Sequence, residues 1–245
     1  MTTIDSKEIN KFDKLANEWW DTSGKFKILH TINPLRISYI KSLILAQQRW
    51  MSNDNNLKPF KGINILDIGC GGGLISVPMA NLGASVTGVD ASNKNIKIAK
   101  NYAQKNNLDI KYLHSTAEKI ATKSECYDVI LALEVIEHVA DYQLFLRSIK
   151  KLLKPYGLLF ISTINRNMKS LLLAKIAAEY VLNWVPVGTH SWDKFLQPSE
   201  IKTELKKLNL SVMDDMGLNY SFLRNEWYLS KDISVNYTIC AKNSF

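Results

Sequence analysis

Asn64-Ile65-Leu66-Asp67-Ile68-Gly69-Cys70-Gly71-Gly72-Gly73 decides how the rest of the chain is read. Ile65, Leu66 and Ile68 around Asp67 spell a buried parallel strand, and four glycines crowd into the next five positions. Leu74-Ile75-Ser76-Val77-Pro78-Met79-Ala80 then opens a helix. A strand that breaks into glycines before a helix is how an open α/β sheet builds a nucleotide site. Glycine permits the tight turn, and the helix N–H groups face the ligand. A second strand, Ala84-Ser85-Val86-Thr87-Gly88-Val89, ends at Asp90. This acid lies roughly 20 residues past the glycines, the offset at which a carboxylate accepts hydrogen bonds from ribose hydroxyls.

The dinucleotide fingerprint asks for a third glycine three positions after its second, and counted from Gly69 and Gly71 that position is Leu74. The run is instead Asp67-x-Gly69-x-Gly71-x-Gly73, with Asp67 at the strand end. A carboxylate there repels a pyrophosphate but suits a phosphate-free ligand with an ammonium group, which describes S-adenosylmethionine. The pattern over residues 62–163 resembles the class I S-adenosylmethionine-dependent methyltransferases.

At 245 residues, 46% hydrophobic and 22% charged, the composition is that of a soluble globular protein able to bury a core. Cys70, Cys126 and Cys240 are scattered and form no Cys-x-x-Cys pair. That argues against a disulfide framework or a zinc site and for a reducing, cytoplasmic compartment. Residues 1–10 are polar, unlike a secretory signal. A formal charge of +8 is compatible with nucleic acid, an anionic membrane surface or a lysine-rich solvated face, and does not choose among them.

Along the chain, Phe12, Leu15, Ala16, Trp19 and Trp20 recur at helical spacing, so an amphipathic helix is predicted there. Its two tryptophans read equally as core or as an aromatic wall over a site. Asn33-Pro34 favours a helix start, with Arg36 on its first turn and Ile37, Ile40 and Ile44 continuing the apolar face. Residues 47–61 read as a linker. Ser92 is the expected N-cap of a helix over 93–104, and further strands are expected at 109–114, 127–133 and 158–163. The last two strands, 211–220 and 235–241, are expected to pair antiparallel at the sheet edge. The predicted fold is α/β: a doubly wound, mostly parallel seven-stranded Rossmann-like sheet in one domain over 1–245. It divides into an N-terminal helical cap (1–50), a cofactor core (60–165), a helical insert after strand 5 (166–200) and C-terminal strands (201–245).

Glu134-Val135-Ile136-Glu137-His138 stands directly beyond the fourth strand, where the carboxyl ends of parallel strands border the ligand crevice. Were this segment helical, Glu134, Glu137 and His138 would share one face. In the insert, residues 169–184 form an apolar stretch with Lys175, Glu179 and Asn183 on one stripe. That pattern rules out a membrane-spanning helix and suits core packing, an anionic membrane surface or a lipophilic substrate.

Motifs outside the cofactor core narrow the substrate. They are Phe12-Asp13-x-x-Ala16-x-x-Trp19-Trp20-Asp21, Leu29-His30-x-Ile32-Asn33-Pro34-Leu35-Arg36, Ser162-Thr163-Ile164-Asn165-Arg166-Asn167, Glu179-Tyr180-Val181-Leu182 and Gly188-Thr189-His190. Together with the glycine loop and Glu134-Val135-Ile136-Glu137-His138-Val139, they resemble the ubiquinone-biosynthesis O-methyltransferase family over residues 12–242. Two departures are a longer linker near Ser52 and Ser191 where an aspartate is typical.

The resemblance implies a polyprenylated catechol or phenol acceptor, two O-methylation steps of one pathway, and association with other enzymes of that pathway. It implies that Arg36, Gly69, Asp90 and Leu133 contact S-adenosylmethionine, with Arg36 on the methionine carboxylate and Asp90 on the ribose. Asp67 and Gly71 join them from the strand-and-loop reading. Eukaryotic relatives are associated with a divalent metal, for which Glu134, Glu137 and His138 are the matching positions. A phenol, with a reference pKa of about 10, needs a base or a cation. His138, oriented by Glu134 or Glu137, is one expectation, and a magnesium-like ion on all three is the other. Leu133-Glu134-Val135-Ile136 stands where nucleic-acid base methyltransferases carry an Asn/Asp-Pro-Pro-aromatic run, so no nucleic-acid substrate is expected. A peripheral position on the inner face of the cell membrane completes these expectations.

Overall fold

The computed structural model describes residues 2–47, 57–123, 125–172 and 192–244. In chain order it contains α1 (Ser6–Leu15), α2 (Lys27–Leu45), β1 (Asn64–Ile68), α3 (Ser76–Asn81), β2 (Ser85–Asp90), α4 (Asn93–Lys105), β3 (Ile110–His114), α5 (Ala117–Ile120) and β4 (Tyr127–Leu133). Next, α6 (Tyr142–Leu152) runs straight into β5 (Leu153–Ile164), followed by the single turn α7 (Met168–Ser170). The described chain resumes at Trp192 and continues through α8 (Pro198–Lys207), β6 (Leu210–Ser221), β7 (Glu226–Ser230) and β8 (Asn236–Asn243).

All strands join one sheet in the order β3-β2-β1-β4-β5-β8-β6-β7, with the first five parallel and the last three antiparallel additions. The sheet therefore has eight strands where seven were expected. The extra one is β7, which pairs residue for residue with the end of β6 from Gly217↔Ser230 to Ser221↔Glu226. The turn between them is made by Asn225 at φ +53°, which lets a five-residue strand fold back as a hairpin.

Period-two alternation covers both faces, as a doubly wound sheet requires. Leu66, Ile130, Leu159 and Ile161 point to the layer of α5, α6 and α8, where Phe145, Ile149 and Leu205 are fully buried. Ile65, Val129, Leu131 and Phe160 point to the opposite layer, against Ile40 and Ile44 of α2 and Met79 of α3. Strand order reverses between β1 and β4, so the carboxyl ends of β1, β2 and β4 open onto one crevice.

Two N-terminal expectations change. The helix expected through Trp20 stops at Leu15 and passes through a 3-10 turn, Ala16–Glu18, which turns both tryptophans away from a helical stripe. In α2 the helix starts at Lys27 and runs through Pro34 instead of starting there. Proline removes one helical N–H, and burial of Ile32, Arg36, Ile40 and Ile44 on the same helix carries it past that loss. By contrast, Ser92 caps α4 as expected, its hydroxyl accepting from Asn95 N–H at 3.1 Å.

Most of the 169–184 stretch, along with Glu179-Tyr180-Val181-Leu182, Gly188-Thr189-His190, Ser191 and Ser52, lies outside the described residues. Among the described residues no helix is long and apolar enough to cross a membrane.

Candidate active site

Asp67 is buried, and its Oδ2 accepts a hydrogen bond from the Ser76 hydroxyl at 2.6 Å. Burial pushes its carboxyl up to about 7, the nearby Asp90 charge adds to this, and the Ser76 hydrogen bond opposes it. Asp90, one strand away, has both oxygens engaged by the loops around it. Oδ2 accepts from Gly71 N–H at 2.9 Å, and Oδ1 accepts from Ser92 N–H at 2.8 Å and the Asn95 amide at 3.3 Å. Burial raises Asp90 as well, against those three donors. Each oxygen keeps lone-pair capacity for a ligand hydroxyl.

Both tryptophans pack against the N-terminal cluster, and Trp19 also lines the cavity. Trp19 stacks on Phe26 (3.8 Å between centroids, 4° between planes) and donates from Nε1 to Asn95 Oδ1 at 2.9 Å. Trp20 stacks on Tyr102 and donates to the Gly72 carbonyl at 2.9 Å. Together they latch the N-terminal cap onto the glycine loop. Gly71 sits at φ +53°, and a Cβ there would come within 2.4 Å of the Trp19 ring. Gly71→Ala is therefore expected to lower stability by about 1–2 kcal/mol from backbone strain alone. It is also expected to weaken S-adenosylmethionine binding as Trp19 and the Gly71 N–H shift. Thermal unfolding and calorimetry would read the two effects.

Beyond β4 the three residues expected on one face are placed separately. Glu134 adopts φ +56°, an uncommon conformation for a side chain-bearing residue and a feature that clusters at functional sites. Its Oε1 accepts from Ser162 Oγ and Asn236 Nδ2, both at 2.9 Å, and from the buried Arg36 guanidinium. Arg36 Nε is buried with no hydrogen-bond partner among the described residues.

Glu137, 4% exposed, is the middle residue of the 3-10 turn Ile136–His138, and neither carboxyl oxygen has a well-formed hydrogen bond among the described residues. Burial, then the adjacent Glu134 charge, push its pKa well above the ordinary value.

His138 turns to neither glutamate. Its Nδ1 lies 2.9 Å from Oε2 of Glu8 on α1, and its ring meets Phe12 edge-on at 5.1 Å. The expectation that Glu134 or Glu137 orients His138 is thus replaced by Glu8, because a 3-10 turn does not stack i and i+4 as an α-helix does.

This arrangement also bears on a metal. Among the described residues no three His, Cys, Asp or Glu side chains group closely enough to hold an ion. Glu134 is paired with Arg36 and His138 with Glu8, so Glu134, Glu137 and His138 are not gathered here as a ready-made magnesium site.

One cavity of about 460 Å³ joins these parts. Asp67, Gly69, Gly71, Asp90, Ser115–Ala117 and Leu133 line it on the side of β1, β2 and β4. Ile9, Phe12, Val139, Tyr220, Trp227 and Tyr228 line it on the side of α1 and the β6–β7 hairpin, with Arg36, Glu134, Glu137, His138 and Glu8 also in its wall. All the sequence-predicted site residues therefore meet at one cavity. Glu8, Ser76, Ser162 and Asn236 are the additions. Ser76 and Ser162 stand inside stretches already singled out, and Glu8 carried a signal as a charge four residues before Phe12 on the apolar stripe of α1.

A methyltransferase-domain family model matches residues 45–214. The ubiquinone biosynthesis O-methyltransferase of Pelagibacter ubique is 50% identical over 237 residues, 97% of each chain. That of Bartonella tribocorum is 48% identical over 99% of this chain and 98% of its own. Among solved structures, the magnesium protoporphyrin IX methyltransferase of Synechocystis with bound SAH matches at TM-score 0.62 and 20% identity, over 96% of this chain and 94% of that one. A SAM-dependent methyltransferase from Aquifex aeolicus matches at TM-score 0.58 and 16% identity, over 98% and 99%. These two share the fold.

With Asp67 elevated, binding of a cationic donor beside it is expected to be pH-dependent. In the free folded protein this carboxyl holds its proton up to about 7, whereas in the unfolded chain it releases it near its ordinary value. Between the two the native state binds more protons, so this group's contribution to stability falls as pH rises. A sulfonium and an ammonium nearby favour the ionised form, so binding releases a proton. Affinity is expected to climb with pH up to about 7, by at most about tenfold per unit. Calorimetry at pH about 6 in buffers of different ionisation enthalpy checks this, and Asp67→Asn should abolish the proton release.

Proposed function

This chain belongs to the ubiquinone biosynthesis O-methyltransferases, S-adenosylmethionine-dependent enzymes on the class I fold, and from that premise we propose that it methylates polyprenylated catechol and phenol precursors of ubiquinone in both O-methylation steps. The observation that carries the reading is a single cavity running from the Asp67 and Asp90 carboxylates to an apolar, aromatic region beside His138. Bound S-adenosylmethionine supplies an electrophilic methyl group on sulfur. Asp90 offers both oxygens to the ribose hydroxyls, held in place by Gly71, Ser92 and Asn95. Asp67 balances the donor's positive charge, Gly69 and Gly71 let the backbone approach, and Leu133 packs against the donor. The unpaired Arg36 Nε suits the methionine carboxylate.

On the acceptor side, His138 Nδ1 faces an ionised carboxylate and so carries the proton, which leaves Nε2 with its lone pair. We assign Nε2 the task of taking the phenol proton as the oxygen aligns with the S–CH₃ axis. Burial and the Glu134 charge favour the protonated form of Glu137 in the cavity wall.

The test is one incubation with methyl-labelled donor and short-tailed catechol and phenol acceptors. Label in both O-methyl products is expected. Label in neither, with transfer to RNA or DNA, would overturn the reading. A lipophilic acceptor also favours peripheral contact with anionic membrane at the inner face of the cell membrane. Retention on phosphatidylglycerol vesicles checks that, and failure to be retained would remove it.

A further inference from the structure

We propose that the β6–β7 hairpin carries the tail subsite of the acceptor. The aromatic ring of the acceptor reacts in the cavity, while its polyprenyl tail leaves across Tyr220 and Trp227 towards Phe222 and Leu223 at the hairpin tip. The inference rests on the acceptor class argued above and says where the apolar part of that acceptor is bound.

Room is the first consideration. A cavity of about 460 Å³ is near the low end of what a single drug-sized ligand occupies, roughly 300–1,000 Å³, and here a nucleoside donor and an aromatic ring share it. A tail of several isoprene units must therefore lie outside, where water opposes it in proportion to its apolar area unless side chains cover it.

The hairpin offers such a cover, continuous with the cavity. Tyr220 and Trp227 stand directly opposite each other on β6 and β7, their ring centroids 5.3 Å apart, and both line the cavity. Phe222 also lines it and meets Tyr220 edge-on at 5.1 Å, yet is 64% exposed, and Leu223 beside it is fully exposed. Apolar surface thus runs from the cavity wall out to solvent. Single exposed apolar residues are ordinary, whereas neighbouring ones that adjoin a cavity mark a binding region. The Tyr220 hydroxyl donates to Asn225 in the turn, so its polar end is satisfied away from the tail path.

The base of the hairpin is braced. The Asn219 amide donates to Ser230 Oγ and to the Asp232 carbonyl, both at 2.9 Å, and Lys169 binds Asp232 at 2.8 Å and Ser234 at 2.7 Å. Charge favours a neutral tail over an anionic lipid surface as the occupant. Residues 221–232 carry two cations, Arg224 and Lys231, matched by Glu226 and Asp232 for no net formal charge. Arg224 lies 3.5 Å from Glu226 and Lys231 pairs with Asp214, so the tip holds no surplus positive charge to draw phosphate head groups.

The test compares a catechol bearing a three-isoprene tail with the same catechol bearing none, both kept below the concentration at which the tailed one forms micelles. The unaltered protein is expected to prefer the tailed acceptor by at least about tenfold in kcat/KM. The double variant Phe222→Ser, Leu223→Ser, which changes two exposed side chains, is expected to cut that preference about tenfold, chiefly through KM of the tailed acceptor. An equal loss on both acceptors would make these residues part of the frame only. A preference that ignores the variant, or is absent from the unaltered protein, would mean the tail leaves elsewhere. Weaker retention on phosphatidylglycerol vesicles with an unchanged preference would mean a lipid contact instead. Each of these results overturns the proposal. If the unaltered protein methylates neither acceptor, the acceptor class has failed and the subsite with it; if it methylates both and the preference ignores the variant, only the subsite has failed. A tail ending in benzophenone gives a reading on the unaltered protein that needs no substitution. Irradiation is expected to crosslink it to residues 218–229, and crosslinks confined to any other element would overturn the proposal.

Discussion

His138→Ala is expected to slow methylation of an un-ionised catechol by about 10²–10⁴-fold, the range over which a positioned base contributes. The fold should survive. Glu8, the only side chain among the described residues that hydrogen-bonds the imidazole, keeps Lys11 and Lys194 as partners and is not left as an unpaired buried charge. Affinity for S-adenosylhomocysteine is expected to stay within about twofold, because none of the residues proposed to contact the cofactor is hydrogen-bonded to the His138 side chain. Initial rates with labelled donor, set beside calorimetry with the demethylated product, measure both. An unaltered rate would remove His138 from the chemistry.

Asp90→Ala is expected to weaken donor binding most. The variant loses two acceptors for ribose hydroxyls, each hydrogen bond to a charged group being worth about 1.5–3 kcal/mol, so Kd should rise about 10²–10⁴-fold. Gly71 N–H and Ser92 N–H also lose the oxygen that holds them, which loosens the loop under Trp19. The loss should be the same for S-adenosylmethionine and 5′-methylthioadenosine, since both carry the ribose and only the first carries the amino acid. Arg36→Ala, by contrast, should affect only the first. A Kd for methylthioadenosine that ignores Asp90→Ala would place the ribose elsewhere.

The cofactor half of this site was legible because it is local. A strand, its terminal acid and the glycines that follow are contiguous from Asn64 to Gly73. Asp90 ends the adjacent strand, so topology alone brings the two carboxylates to one crevice. Strand β4 and the cap of α4 were readable on the same grounds. The acceptor half was legible only as a cluster of residue types. Sequence spacing suggested that Glu134, Glu137 and His138 act together, but the backbone takes a left-handed residue and then a 3-10 turn there, which sends each side chain to a different partner.

By itself, then, the chain's order of residues determined the α/β class, the cofactor type and the family. Those follow from periodicity and from motifs whose parts are neighbours in sequence or at the ends of paired strands. Tertiary structure alone decided the eighth strand, the tryptophan latch on the glycine loop and the pairing of Glu8 with His138 across 130 positions. Such contacts arise where separate elements pack, and no spacing rule within one element encodes which distant partner a buried charge will meet.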